Sequence, residues 1–222
     1  MSQLTLVIGN KNYSSWSLRP WLLLKHFDIP FKEVYIPLYQ EGTKEAILYL
    51  SPSGLVPALK NGDVTIWDSL AICEYLNELF PEHSMWPQDS EARAVARSIS
   101  AEMHSGFSPL RSLMPMNCRL TFPGKGLTDE SAADIARITA IWRECRGKFG
   151  VGGSMLFGEF TIADAMFAPV ALRFKTYDVQ LDEVCAEYVS AVLALPAMQE
   201  WVAGAVEENE VLEAFEPYRS GD

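Results

Sequence analysis

Hydroxyl groups crowd one short stretch near the start of the chain, Tyr13-Ser14-Ser15-Trp16-Ser17-Leu18-Arg19-Pro20. A hydroxyl can donate a hydrogen bond to an anion, and a helix N-terminus adds unpaired N–H groups that favour negative charge. The two effects combine if the run sits where a strand ends and a helix begins. Leu4-Thr5-Leu6-Val7-Ile8 reads as that strand, Gly9-Asn10-Lys11-Asn12 as the loop, and Trp21-Leu22-Leu23-Leu24-Lys25-His26-Phe27 as the helical run. Pro20 lacks a backbone N–H and suits a first helical turn, so the helix is expected to start near Ser17, with Ser14 and Ser15 in the loop facing its N-terminus. Ser17 fits the cap itself. A cap needs a single hydroxyl, which leaves the others free to stabilise an anion or a thiolate.

The elements that would position this run follow from the rest of the chain. With 222 residues there is enough chain for one large domain or two small ones, and 49% hydrophobic with 21% charged residues is ordinary for a soluble globular protein. No apolar run is long enough to cross a membrane and no basic, apolar leader is present, so the expected location is the cytoplasm. A net charge of −11 disfavours nucleic acid and anionic membranes as partners, but not a small anion held in a local pocket. Cys73, Cys118, Cys145 and Cys185 are scattered, and His26, His83 and His104 lie far apart, so neither a disulfide framework nor a metal site is expected.

Phe31 to Leu38 alternates as a second strand, and a short helical or irregular segment runs from Thr43 to Leu50. Asn61-Gly62-Asp63 between Leu55–Lys60 and Val64–Trp67 signals a hairpin. Asp68-Ser69 then precedes Leu70, Ile72, Cys73, Leu76, Leu79 and Phe80, which share a helical face. The first eighty residues therefore read strand-helix-strand-helix-strand-strand-helix, and the stretch from Pro81 to Pro87 breaks the pattern as a linker. Beyond it only helices are expected: a long one from Ala92 through Leu110 with a possible kink at Pro109, one from Thr128 to about Phe149, one opened by a capping box at Thr161 and Asp164, and two more over Asp182–Leu195 and Ala197–Glu208.

Three of these features, in this order and spacing, resemble the cytosolic glutathione transferase family. They are the serine run, Leu55-Val56-Pro57-Ala58-Leu59 with its hairpin and Asp68-Ser69-Leu70-Ala71-Ile72, and Phe160-Thr161-Ile162-Ala163-Asp164. The likeness spans almost the whole chain, and Ser14 to Arg19 looks most like the zeta-class serine motif. It implies an α/β thioredoxin-like N-terminal domain (1–80), a linker (81–87), an all-α C-terminal domain (88–222) and a homodimer. It also implies that Pro57 is a cis proline whose neighbour Val56 presents its backbone to the cysteinyl part of glutathione. Asp68 and Ser69 would bind the two ends of the γ-glutamyl group, while either one could equally be a helix cap. Thr161 and Asp164 are read as structural.

The resemblance implies glutathione as a cosubstrate acting through its thiolate. A free Cys thiol has a pKa of about 8.5, and each unit of lowering takes about 1.4 kcal/mol of preferential anion stabilisation. Ser14 is favoured as the donor, then Ser15, with Tyr13 third. On the electrophile side, Met103, His104, Phe107 and Arg111, with Ser108 and Met114, fall on neighbouring helical positions; Arg111 would attract an acidic electrophile, and the apolar members serve equally well as core. Two departures weigh against the zeta isomerase activity on maleyl substrates: Trp16 stands where that motif has a cysteine, and Trp21 replaces its second basic residue. The missing cysteine also argues against the classes that reduce mixed disulfides. A glutathione S-transferase is thus expected, with a glutathione-dependent isomerase or peroxidase, or a non-catalytic binding protein of the same fold, as alternatives.

Overall fold

The computed structural model describes residues 3–219; the outermost residues of the two expected domains, 1–2 and 220–222, lie outside the described residues. Strand β1 (Leu4–Ile8), helix α1 (Ser15–His26) and strand β2 (Phe31–Tyr35) form a parallel unit, with Val7 opposite Val34. Helix α2 (Thr43–Leu50) leads to the antiparallel pair β3 (Ala58–Asn61) and β4 (Val64–Trp67), then to α3 (Ser69–Leu79). The sheet order is β2-β1-β3-β4. Gly62 follows the last β3 residue with φ +59°, at the first of two loop positions, where a tight hairpin needs left-handed backbone.

The alternation of β1 divides its side chains between two layers. Leu4, Leu6 and Ile8 enter the main core, whereas Val7 faces a smaller cluster with Ile36, Ile47 of α2 and Ala58. β2 stops three residues earlier than the alternation suggested. Pro37 has no N–H for the ladder, and the Leu38 N–H turns instead to the Asn10 side chain at 2.8 Å.

The remaining helices are α4 (Ser90–Ser105), α5 (Ser108–Leu113), α6 (Asp129–Phe149), α7 (Ile162–Thr176), α8 (Glu183–Ala194) and α9 (Pro196–Glu207). α7 is buried almost all round and packs against α1, α4 and α8. Asp164 holds its first turn, accepting from the Thr161 N–H at 2.8 Å and the Thr161 hydroxyl at 3.0 Å. The expected long helix is broken rather than kinked. Gly106 and Phe107 separate α4 from α5, and Phe107 takes a left-handed φ of +57° two residues before Pro109. A side chain at Gly106 would meet the Glu102 carbonyl at 2.8 Å, so this sharp exit from α4 requires glycine.

α1 also departs from expectation, starting at Ser15 instead of Ser17 with Ser14 as its cap. Pro20 is therefore the sixth helical residue and removes the N–H that would bond back to the Trp16 carbonyl. Complete burial of Leu18 and Leu22 to Leu24 against the sheet and α7 offsets that cost.

Candidate active site

A cavity of about 720 Å³ opens where α1 begins, walled on one side by the sheet domain and on the other by α5, α7 and the C-terminal segment. Ser14, Ser15 and Trp16 line it, as do Val56, Arg111 and Arg173. The two serines differ in how their hydroxyls are used. Ser14 Oγ donates to Ser17 Oγ at 2.7 Å and accepts, at 3.4 Å, from the Ser17 N–H, while Ser17 Oγ also takes the Gly9 N–H at 3.2 Å. Ser14 is thus tied into the strand-to-helix turn. Ser15 Oγ accepts from the Arg173 guanidinium at 3.3 Å, and its own proton has no acceptor among the described residues.

Tyr13 does other work. Its hydroxyl donates to Glu216 at 2.7 Å and accepts from Arg119 at 2.7 Å and from the Leu212 N–H at 3.3 Å. Burial, then the bond to Glu216, raises its pKa, so it is poorly suited to ionise or to share its proton with a thiolate.

The Val56–Pro57 peptide is cis, and Val56 faces the cavity. Asp68 and Ser69 lie outside its wall. Asp68, at φ +75°, caps α3 by accepting from the Leu70 and Ala71 N–H groups at 2.9 and 3.1 Å, and its second oxygen lies 2.9 Å from His104 Nε2. Ser69 is buried and accepts from Arg19 at 3.4 Å.

Of the four residues expected on the electrophile side, only Arg111 reaches the wall. Met103 is fully buried and Phe107 nearly so, because the break between α4 and α5 turns their face into the core. His104 pairs with Asp68 and sets its ring edge-on to Trp16, with centroids 5.3 Å apart. Pro115 and Met116, from the loop after α5, supply apolar wall in their place.

The least expected feature is a group of three arginines, two of them against Trp16 and the third on Ser15. The guanidinium of Arg19 lies 4.3 Å from the Trp16 ring centre and that of Arg111 lies 5.3 Å away. Arg173 projects from the apolar α7 to Ser15 and to the Met114 carbonyl at 2.9 Å. Burial, then repulsion from Arg173 and Arg111, lowers Arg19 to about 9; burial, then repulsion from Arg111, lowers Arg173 to about 10; burial also lowers Arg111. Among the described residues none of the three pairs with a carboxylate within 4.0 Å, although the chain as a whole carries −11. Guanidinium groups buried without a carboxylate favour negative charge beside them. Sequence spacing gave no sign of the arrangement, since Arg19, Arg111 and Arg173 come from three separate helices; an arginine inside the apolar run Ala171-Leu172-Arg173-Phe174 was the one available signal.

Comparison with known proteins agrees with the fold. The family described as glutathione S-transferase, N-terminal domain, matches residues 13–79. Maleylacetoacetate isomerase of Rattus norvegicus is 33% identical over 195 residues, covering 83% of this chain and 85% of the relative. A zeta-class glutathione S-transferase of Euphorbia esula is 35% identical over 170 residues, covering 72% and 73%. Among solved structures, a glutathione transferase homolog from Burkholderia gl BGR1 with bound glutathione superposes with a TM-score of 0.71 at 23% identity, covering 93% of this chain and all of the other. A thioredoxin-like βαβαββα unit followed by a helical domain, with relatives of this identity and coverage, makes the chain a member of the glutathione S-transferase family.

Proposed function

We propose that the chain binds glutathione as a thiolate beside Ser15 and adds it to a small, acidic electrophile. The observation that carries this reading is the Ser15 hydroxyl, its oxygen held by Arg173 and, among the described residues, its proton uncommitted, in a cavity whose arginines have no carboxylate partner among those residues. A charge-assisted hydrogen bond contributes about 1.5–3 kcal/mol and a helix N-terminus about 0.3–1, enough to lower the thiol by one to two units. Ser15 takes precedence over Ser14 because the Ser14 hydroxyl already serves the turn.

In this reading the backbone of Val56, beside cis Pro57, pairs with the cysteinyl unit. The γ-glutamyl ammonium goes to Asp68, displacing its contact with His104, and the carboxylate goes to Ser69. Arg19 stands next to Ser69 with its Nε buried and unpartnered, which suits a carboxylate there. Arg111 then attracts the acid group of the electrophile. Met103, Phe107 and His104 act behind the wall, the last through Trp16 and Asp68.

A second reading is isomerisation of the maleylacetoacetate type, supported by the name and coverage of the Rattus norvegicus relative. The thiolate would add to a cis double bond and leave after rotation, using the same residues. Trp16, in place of the motif's cysteine, weighs against it. We also place the domain boundary at 81–87 and propose a cytoplasmic homodimer.

Calorimetry with glutathione, followed by turnover of matched electrophiles with and without a carboxylate, tests the proposal. The parent should bind glutathione and favour the acidic member of each pair, and Arg111→Met should remove that preference. Failure to bind glutathione would instead favour a non-catalytic role, and equal turnover of both members would remove the acidic substrate class.

A further inference from the structure

We infer that Phe215 is a specificity-determining residue of the cavity, held there by a buried polar node of Tyr13, Asn117, Arg119 and Glu216. The inference rests on the proposal that glutathione occupies this cavity, and goes beyond it by assigning the last described segment of the chain to the electrophile side.

Phe215 ends a single 3-10 turn, Glu213–Phe215, that follows an irregular stretch after α9. So short a turn cannot hold itself in place, and its position must come from tertiary bonds. They are present at every step. The Glu208 carboxylate takes the Lys11 and Asn12 N–H groups, the Glu208 and Glu210 carbonyls take the Arg119 guanidinium, and the Leu212 N–H goes to the Tyr13 hydroxyl. Glu216 is buried and accepts from Tyr13 at 2.7 Å, Asn117 at 3.1 Å and Arg219 at 2.8 Å. Burial pushes its carboxyl up, but the hydrogen bonds outweigh that and hold it below the usual range, so it is charged at neutral pH. The Tyr218 hydroxyl closes the series on the Leu113 carbonyl at 2.8 Å.

One side chain of this strap lines the cavity. The Phe215 ring lies 5.7 Å from Tyr13 and 5.5 Å from the exposed Tyr39 of the loop before α2, bridging the two domains across the mouth. Phe215 lines the same cavity as Ser15 and Arg111, so a group attached to the sulfur shares that space with its ring. Tyr13 therefore anchors the strap, which accounts for a buried, fully bonded hydroxyl one residue away from the proposed thiol donors.

Dissociation constants for glutathione and for S-hexylglutathione, measured by calorimetry on the full chain and its variants, test this. In the parent the hexyl group should tighten binding. Phe215→Ala should reduce that advantage about five- to tenfold and leave glutathione itself within about twofold. Glu216→Ala should do the same by releasing the strap, and Glu216→Gln, which keeps an acceptor for Tyr13 and Asn117, should largely restore it. A Phe215→Ala variant with the parent's ratio overturns the inference while leaving the glutathione site intact, as does a parent that gains nothing from the hexyl group. A parent that binds neither compound overturns the glutathione reading first, and this inference with it.

Discussion

Replacing Asp164 with asparagine probes how the central helix is held. The carboxylate is fully buried and accepts four hydrogen bonds: Oδ1 from the Leu156 N–H at 3.0 Å and the Tyr188 hydroxyl at 3.1 Å, Oδ2 from the Thr161 N–H at 2.8 Å and the Thr161 hydroxyl at 3.0 Å. Asparagine keeps one oxygen for the first pair and turns its amide NH2 towards the second. The Thr161 hydroxyl can rotate and accept instead, but the Thr161 N–H is left buried without an acceptor. Losing a charge-assisted bond costs about 1.5–3 kcal/mol and an orphaned donor about 1–3, so Asp164→Asn should lose roughly 3–5 kcal/mol at pH 7. The loss should also depend on pH. Burial pushes the carboxyl up to about 6, against the hydrogen bonds from Leu156, Thr161 and Tyr188. A raised acid keeps its proton in the folded state, so the stability it contributes is complete below the unfolded value and is lost as pH rises through about 6. Asparagine does not titrate, so the gap between parent and variant should be roughly 1 kcal/mol wider at pH 5 than at pH 7. Urea melts at the two pH values measure both quantities. A loss under about 1 kcal/mol at pH 7 refutes the hydrogen-bond reasoning, and a gap that narrows towards pH 5 refutes the role of burial.

Thr161→Ala should cost about 0.5–2 kcal/mol in denaturant melts without changing glutathione affinity by calorimetry; normal stability with weak binding would contradict a structural role. Gly126→Ala should cost at least about 2 kcal/mol, because Gly126 has φ +70° and a Cβ there would lie 2.2 Å from the Leu113 carbonyl oxygen; an unchanged thermal midpoint would mean the turn can open freely. Ser69→Ala should weaken glutathione about ten- to hundredfold, and Asp68→Asn should weaken glutathione but not an analogue lacking the amino group. Parent-like binding by both variants would reduce the pair to a helix cap.

Period and punctuation made much of the fold readable. The alternation in β1, the Asn-Gly hairpin and the Thr161–Asp164 box are local signals, and each element lies where its signal placed it. Pro20 misled because its cost is local while the burial that offsets it is tertiary. Phe107 misled in the opposite way: its apolar spacing continued the α4 pattern, but the left-handed turn after Gly106 redirected that face into the core. At the site, the serine run announced itself through sequence adjacency. The contacts that distinguish Ser15 from Ser14, and Tyr13 from both, come from Arg173, Arg119 and Glu216, more than 100 residues away in the chain, and no spacing rule reaches that far.

The most direct test of the chemistry is the ultraviolet absorbance of the bound glutathione thiolate, titrated against pH in the parent, Ser14→Ala and Ser15→Ala. We expect the bound thiol to ionise about one to two units below the value of about 8.5 for a free thiol. Ser15→Ala should return it most of the way to the free value with glutathione affinity largely intact, and Ser14→Ala should move it less. A bound thiol that titrates like the free one in the parent, or a Ser15→Ala curve that superposes on the parent's, would contradict thiolate stabilisation by Ser15.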